Sequence, residues 1–381
     1  MRYCKKCVMP ETRPGIVFDE EGVCRPCRVA EERKELDWDA RFEKLKKLCD
    51  KYRGMNGDYY DCIIPASGGK DSTYQIYVMK ELLNMNPLVV NVANFSWTNT
   101  GLHNFNNMGD TFGCDIISIN LNRKAAREML WKGLTKFGSP TWYWDRAVYV
   151  FPIRMGINFG IPLIVYGENI SYEYGGFQTE ETYSAKDQVN NNVASFIDWD
   201  EWTDGNITKK DLNAIKYPDE EEIKKANLEP IYLSYFVKWD GYKNMEISKK
   251  YGFKSLNDTA EWSREGYIED FDQIDSKGYL VHPWFKYPKY GHARATDVAC
   301  YWIRTGRINR EEAIKLVKEH DHKLDRESLE DFLDFVGHTK EEFWNETEKF
   351  WNKDIFEKVD GKWKLKNPIW KQEKSKEEII V

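Results

Sequence analysis

Cys62-Ile63-Ile64-Pro65-Ala66-Ser67-Gly68-Gly69-Lys70-Asp71-Ser72-Thr73-Tyr74-Gln75-Ile76 reads as a short apolar strand, a glycine turn and the opening of a helix. Adjacent Gly68 and Gly69 allow a sharp turn whose N–H groups converge on an anion. The helix N-terminus behind them adds partial positive charge. Ser67, Ser72 and Thr73 bring hydroxyls, Lys70 brings an ammonium group, and Asp71 brings the hard oxygens that magnesium prefers. A Walker loop is excluded, because Lys70 is followed by Asp and the four-residue spacer is missing. The plain alternative is an ordinary glycine turn closed by a Ser/Asp cap.

Outward from this stretch, strands and helices alternate. Strands are expected near 60–65, 88–93, 115–119 and 161–166, with helices near 39–52, 71–83, after 99, 124–134 and 145–158. The helix over 39–52 puts Phe42, Leu45, Leu48 and Cys49 on one face. Short apolar strands alternating with helices predict an α/β fold, a doubly wound parallel sheet covered on both faces. Such sheets bind ligands at the carboxyl ends of their strands. That directs attention to Ser67–Thr73, Asn94–Gly101 and Gly167–Gly176.

Before the sheet stand Cys4-Lys5-Lys6-Cys7 and Cys24-Arg25-Pro26-Cys27, two C-x-x-C pairs separated by sixteen residues. Four thiolates at this spacing suit a structural tetrahedral zinc in a ribbon or double knuckle, with a redox dithiol or an iron–sulfur cluster as the alternatives. Cys49, Cys62, Cys114 and Cys300 are scattered and read as buried core. The expected organisation is a zinc module over 1–30, a linker helix over 31–55 and the α/β core over 56–176. An acidic insertion over 177–240 includes Asn190-Asn191-Asn192 and a helix near Asp219–Ala226; it is a lid, a partner surface or a solvated excursion. A mainly helical region over 241–370 follows, with helices near 293–305, 310–319, 327–335 and 341–351, then a loose tail over 371–381. Gly306 reads as a helix C-cap, and Asn309 with Glu312 and Thr339 with Glu342 read as capping boxes.

The chain has 381 residues and a net charge of −7, which argues against a large nucleic-acid footprint. No apolar run approaches a membrane span, and Met1-Arg2-Tyr3-Cys4 opens no signal-peptide core, so a cytoplasmic protein is expected. Gly167-Glu168-Asn169-Ile170-Ser171-Tyr172-Glu173-Tyr174-Gly175-Gly176 brings two carboxylates, an amide and a Gly-Gly turn to a strand end. This suits a polyhydroxylated substrate, a second metal contact or a general base, or else a structural cap. Asn169, Glu173 and Tyr174 are candidate substrate contacts, and Glu168 is a candidate catalytic group. Residues 282–294 carry His282, Lys286, Lys289, His292 and Arg294. Between Ser276 and Thr296 four cations and no acid give a local +4, suited to phosphates or an anionic substrate, or to a solvated basic loop. Asp272 and Asp275, just upstream, offer a further metal or hydroxyl contact.

The stretch SGGKDS at a strand–helix junction resembles the PP-loop of the ATP pyrophosphatases. The opening YCKKCVMPETRPGI with its second CRPC, then PASGGKDSTY, GENISYEYGG, WDGYKNMEISKKYGF and DQIDSKGYLVHPWFKYPKYGHARATDVACYWIR, resemble the N-acetyl-sugar amidotransferase family across nearly the whole chain. The resemblance implies an adenine nucleotide alpha hydrolase-like fold. It also implies ATP, magnesium and ammonia as co-substrates, and conversion of an acetamido to an acetamidino group on a nucleotide-linked or free sugar acid. Pseudaminic-acid-type and 2,3-diacetamido-mannuronic-acid pathways are its setting. The family's loop role falls on Ser67, Gly68, Gly69, Asp71 and Ser72, and the adenine edge on Val92 through Asn94. Asp71, Lys286, Arg294 and Glu168 are the expected catalytic set, and His282, Lys289 and His292 join the substrate contacts. Position 2 is Arg rather than the nucleophilic Cys of a class II glutaminase, and no other Cys sits in an elbow. A separate glutaminase subunit, with or without a channel-forming partner, is therefore expected to supply ammonia. The competing readings are a PP-loop tRNA thiolase and a zinc-ribbon scaffold with a regulatory ATP site.

Overall fold

In the computed structural model, which describes residues 1–177, 181–186 and 198–372, a five-stranded parallel sheet has the order β3-β2-β1-β4-β5. Its strands are β1 (Cys62–Pro65), β2 (Pro87–Val92), β3 (Ile116–Ile119), β4 (Leu163–Tyr166) and β5 (Glu229–Tyr232). Ile63 sits beside Leu88 of β2 on one side and Ile164 of β4 on the other. Period-two alternation then divides the strands between two cores. Ile63, Leu88, Val90 and Ile164 pack with α5 (Arg123–Phe137) and α6 (Trp142–Phe159). Cys62, Ile64, Val89, Leu163 and Val165 pack with α2 (Trp38–Tyr52), α3 (Lys70–Ile76) and α4 (Asn99–Phe112). Both faces are covered, which explains why the strands are apolar throughout. Asn190-Asn191-Asn192 and the tail beyond 372 lie outside the described residues.

The chain winds from β1 to β2 and β3 on one side, then crosses to β4 on the other. The loops after β1 and β4 therefore diverge, and a crevice opens between them at the switch point. Those loops are Ser67–Gly69 and Gly167–Ile170.

The structure differs from the sequence-based expectation in three places. The helix after the glycine turn begins at Lys70 and relaxes into a π-turn over Tyr77–Leu82. The polar 177–240 region returns a fifth strand, Glu229-Pro230-Ile231-Tyr232, too short and too polar at its start to stand out. Pro230 suits a sheet margin, and the outer side of β5 is closed by Tyr232 N–H to Tyr183 O and Ala185 N–H to Pro230 O, both 2.8 Å. The mainly helical C-terminal region also carries a hairpin of β6 (Phe356–Val359) and β7 (Lys362–Leu365). Its turn, Asp360-Gly361, has positive φ at both residues, the Asp-Gly turn that matches strand twist. The remaining C-terminal elements follow the expected pattern as α9 (Arg294–Arg304), α10 (Arg310–His320), α11 (Arg326–Val336) and α12 (Lys340–Thr347). These follow α7 (Glu220–Ala226), which carries a capping box from Asp219 to Glu222, and α8 (Gly241–Lys250). The expected capping boxes at Asn309/Glu312 and Thr339/Glu342 are both formed.

The N-terminal module, with α1 (Arg25–Glu32), shares its own core with α9 and α10. Cys4, Cys7, Cys24 and Cys27 join Ala299, Cys300, Ala313 and Val317 there. Among the described residues no helix is long and apolar enough to cross a membrane.

Only one glycine of the pair in the turn needs to be glycine for backbone reasons. Gly68 has φ +88°, and a Cβ there would lie 2.7 Å from the Phe105 backbone, whereas Gly69 is extended and a Cβ there would only touch Ser67 Oγ at 3.4 Å. Gly68→Ala is expected to cost about 1–3 kcal/mol of unfolding free energy in urea titration, and Gly69→Ala well under 1 kcal/mol.

Candidate active site at the sheet switch point

Lys70 is the first helical residue after the turn, and its side chain is only 5% exposed. A buried ammonium group needs compensating charge. Lys70 Nζ lies 2.6 Å from Asp71 Oδ2 and bonds Asp272 Oδ1, while Asp272 Oδ2 accepts from Arg294 at 2.7 Å. Two cations and two carboxylates thus alternate across the crevice. Burial alone would lower the Lys70 pKa, but Asp272 and Asp71 push it above its ordinary value. Burial would raise that of Asp272, but Lys70 and Arg294 hold it down at about 2.

Helix α8 anchors this corner from the far side. Asn244 donates to Asp71 Oδ1 at 2.8 Å, and Ser248 Oγ donates to Lys70 O at 2.8 Å. The two are one turn apart on a helix capped by Asp240, so one face serves both contacts. The pocket beside Lys70 and Asp71 is lined both by further charged groups, Glu269, Asp272, Arg294 and Asp297, and by aromatic ones, among them Tyr174, Trp239, Tyr242 and Tyr301.

Glu168, at the end of β4, faces the same corner. Burial comes first, then the Asp71 carboxylate, in pushing its pKa to about 8. Glu173 is raised by burial too, opposed by Arg33 at 2.9 Å. Tyr174 lines the pocket, whereas Asn169 turns inward, its Oδ1 accepting from Tyr172 N–H at 3.1 Å. Ser72 and Thr73 hydroxyls both donate to Gly69 O, at 2.9 and 3.1 Å, and Ser67 Oγ accepts from Gly69 N–H at 3.4 Å. Val92 is buried at the end of β2, and Asn94 donates to Asp275 at 2.8 Å.

The basic stretch 276–296 does not form one free patch. Lys277 pairs with Glu327 at 2.6 Å, Lys286 with Asp297, and Arg294 with Asp272. Lys289 lies 3.2 Å from the Phe137 and Gly138 carbonyls at the end of α5, which removes it from the crevice. The acids that neutralise the stretch come from outside it, so local sequence counting overstated its charge. His282 and His292 are held neutral by burial, with pKa values near 3. His292 is 1% exposed. Arg294 reaches the crevice directly, and Lys286 reaches its wall through Asp297.

Sequence reasoning gave Asp272 only a passing place and missed Asn244, Asp297 and Tyr301. The i, i+4 pair Asn244/Ser248 behind an Asp-Gly cap was the available signal for α8. For Asp297 and Tyr301 only the fold brings α9 to the crevice.

The four cysteines form a separate centre. Their sulfurs lie within 4.8 Å of one another, with Cys7 and Cys24 3.6 Å apart. A zinc with sulfurs at about 2.3 Å requires sulfur–sulfur separations of this order. Cys24 N–H and Cys7 N–H point at Cys4 Sγ, at 3.2 and 3.4 Å, as charge-stabilising donors do for thiolates. Hydrogen bonds from the other three thiols pull the Cys4 pKa down, whereas burial pushes Cys7 up. A cation removes that conflict, and the cluster could hold a structural metal such as zinc. Of the other cysteines, Cys49, Cys62 and Cys300 are buried and Cys114 is half-buried.

Residues 265–369 match the family model described as LPS biosynthesis protein WbpG-like, C-terminal domain. Over 121 residues the chain is 29% identical to an uncharacterized protein of Methanocaldococcus jannaschii, a span of 31% of this chain and 42% of that protein. The chain therefore matches less than half the length of this relative. The segment matched by the WbpG-like model supplies Asp272, Arg294, Asp297 and Tyr301 to the crevice, opposite the loop after β1.

Two outcomes are expected. One equivalent of zinc per chain should copurify, and removal by a strong chelator, or Cys24→Ser, should lower Tm markedly without abolishing the α/β circular-dichroism signature. Glu168 binds its proton more tightly in the folded than in the unfolded chain. Its contribution to stability is therefore complete below pH about 4.5 and lost as pH rises toward about 8. Glu168→Gln should match wild type in thermal melts at pH 4.5 and melt higher at pH 8.

Proposed function

We propose that the chain is an ATP-dependent amidotransferase that adenylates the acetamido oxygen of an N-acetylated sugar, a sugar acid or its nucleotide-linked form. Ammonia then displaces AMP and leaves an acetamidino group. The setting is bacterial surface-polysaccharide or flagellin-glycan biosynthesis, to which the WbpG-like match lends support. The observation that carries the reading is the Lys70–Asp272 contact at the switch point. It joins a glycine loop suited to phosphates to a segment resembling a sugar-polymer biosynthesis domain.

The chemistry assigns a task to each group. The amide oxygen attacks the α-phosphorus of ATP, the α–β bridging bond breaks, and pyrophosphate leaves. The Gly68–Gly69 backbone, the α3 N-terminus, Lys70 and Arg294 take up its charge. Asp71 and Asp272 would hold magnesium, which neutralises charge on the pyrophosphate. Ammonia then adds to the activated carbon, AMP leaves with the former amide oxygen, and a proton must be removed from nitrogen. Glu168, with a pKa near 8, is matched to that removal. Val92 and Asn94 edge the adenine site, and the aromatic wall with Tyr174 faces the sugar. Ammonia comes from a separate glutaminase subunit, and the setting is cytoplasmic.

The test is incubation with ATP, magnesium, an ammonium salt and a panel of CMP- and UDP-linked diacetamido sugars. Mass spectrometry should show exchange of O for NH on the sugar, with AMP and pyrophosphate in equal amounts. ADP in place of AMP would overturn the mechanism. At constant free ammonia, kcat should rise with pH to a plateau above about 8. Glu168→Gln should lower it by about 10²–10⁴-fold and remove that limb.

A further inference from the structure

Arg13 belongs to the N-terminal module, between the two cysteine pairs, where its backbone closes turns with Pro10 and Ile16 while its side chain leaves the module. Its Nε donates to Gly175 O at 2.9 Å and its NH1 pairs with Asp297 Oδ1 at 2.6 Å. The side chain is 14% exposed and that of Asp297 6%. One guanidinium therefore spans two walls of the crevice, the Ser171–Gly175 turn that carries Tyr174 and helix α9. The planar fork of arginine can hold both acceptors at once, which an ammonium group on a flexible stem does poorly.

The backbone contact beneath Arg13 is equally specific. Gly15, with φ +72°, lies so close to Gly176 that a Cβ would sit 2.7 Å from its carbonyl carbon. A Cβ on Gly175, at φ +98°, would meet Ile16 at 2.7 Å. Arg33, just beyond α1, adds its ion pair to Glu173 at 2.9 Å, and Arg304 donates to Glu173 O at 3.0 Å. The segment that follows β4 is thus clamped chiefly from the cysteine module.

We infer that Arg13 is a positioning residue: the N-terminal module holds the 168–177 segment in register with α9 and so sets the acceptor side of the crevice. The nucleotide side, built from Gly68, Lys70 and β2, does not depend on it. The kinetic part of this inference rests on the reading of the crevice as an ATP-dependent acceptor site; the structural part does not.

Hydrogen–deuterium exchange on the full chain separates the two. In Arg13→Ala, amides of 168–177 should exchange about tenfold faster, with α3 and β2 unchanged and zinc content retained. With an accepted sugar, the acceptor KM should rise about tenfold while the ATP KM stays within about twofold. Arg13→Lys should fall between wild type and Arg13→Ala in both measurements. Gly15→Ala, which disturbs the same joint without removing the fork, should loosen the same segment and serves where Arg13→Ala does not fold. Unchanged exchange at 168–177 would overturn the inference. So would a rise spread over α3 and β2, which would mean that Arg13 serves global stability alone. Absence of any sugar turnover by wild type would overturn the proposed reaction but leave the exchange result decisive.

Discussion

A lysine ammonium with almost no solvent access holds this molecule's two halves in register. Lys70 is fixed to the sheet by its place at the start of α3, and it must find negative charge within a few ångströms. Asp71 lies next to it in sequence, but Asp272 arrives from the other half of the chain. Removing one partner of such a buried pair typically costs about 3–5 kcal/mol, because the other charge is stranded. The pairing therefore fixes where the segment after Phe271 runs, and Arg294, bonded to the same Asp272, fixes where α9 begins. What results is a crevice whose floor is an anion-suited loop and whose charged groups are already spoken for by one another.

The sheet was legible because its signals are local. Period-two apolar strands such as Ile63-Ile64 and Val89-Val90, glycine punctuation at 68–69 and capping pairs such as Asn309/Glu312 each act within one element. The four cysteines were legible for the same reason, since two short spacings bring them together. What escaped depends on contacts far apart in sequence. Strand β5 is recognisable only once β4 offers it an edge, because Glu229-Pro230 alone argues against a strand. The charge of the 276–296 stretch escaped because its counter-charges, Asp272, Asp297 and Glu327, lie before or after it. The Asp360-Gly361 hairpin is different: its turn signal was present in the sequence, but the surrounding helices drew the reading away.

Two carboxylates in one corner meet opposite fates, and the reason is the distribution of cations. Asp272 touches both Lys70 and Arg294 and stays ionised. For Glu168, burial and the facing Asp71 carboxylate outweigh the opposing pull of Lys70 and push its pKa to about 8. Environments that push neighbouring acids apart in this way are how a single site supplies a permanent anion and an exchangeable proton together. Lys70 opposes the shift of Glu168, so any ligand that drew Lys70 toward phosphate oxygens would change the proton affinity of Glu168. The position of one ammonium group and the proton affinity of Glu168 are thus coupled.

The cysteine module fits into the same logic. Its cluster lies against Cys300 and Arg304 of α9, not at the crevice, and its sulfurs offer no open coordination position once all four bind a metal. Its influence on the crevice must therefore be mechanical. Arg13 from the module and Arg33 just beyond α1 reach Gly175, Asp297 and Glu173, three acceptors on the segments that wall the pocket. A small module gains rigidity cheaply from a metal, since metal binding is folding free energy for the loops that ligate it. Rigid loops then present their arginines without paying again for order at the joint. A metal held there would be remote from the crevice, yet it would bear on the Tyr174 wall through the guanidinium groups of Arg13 and Arg33.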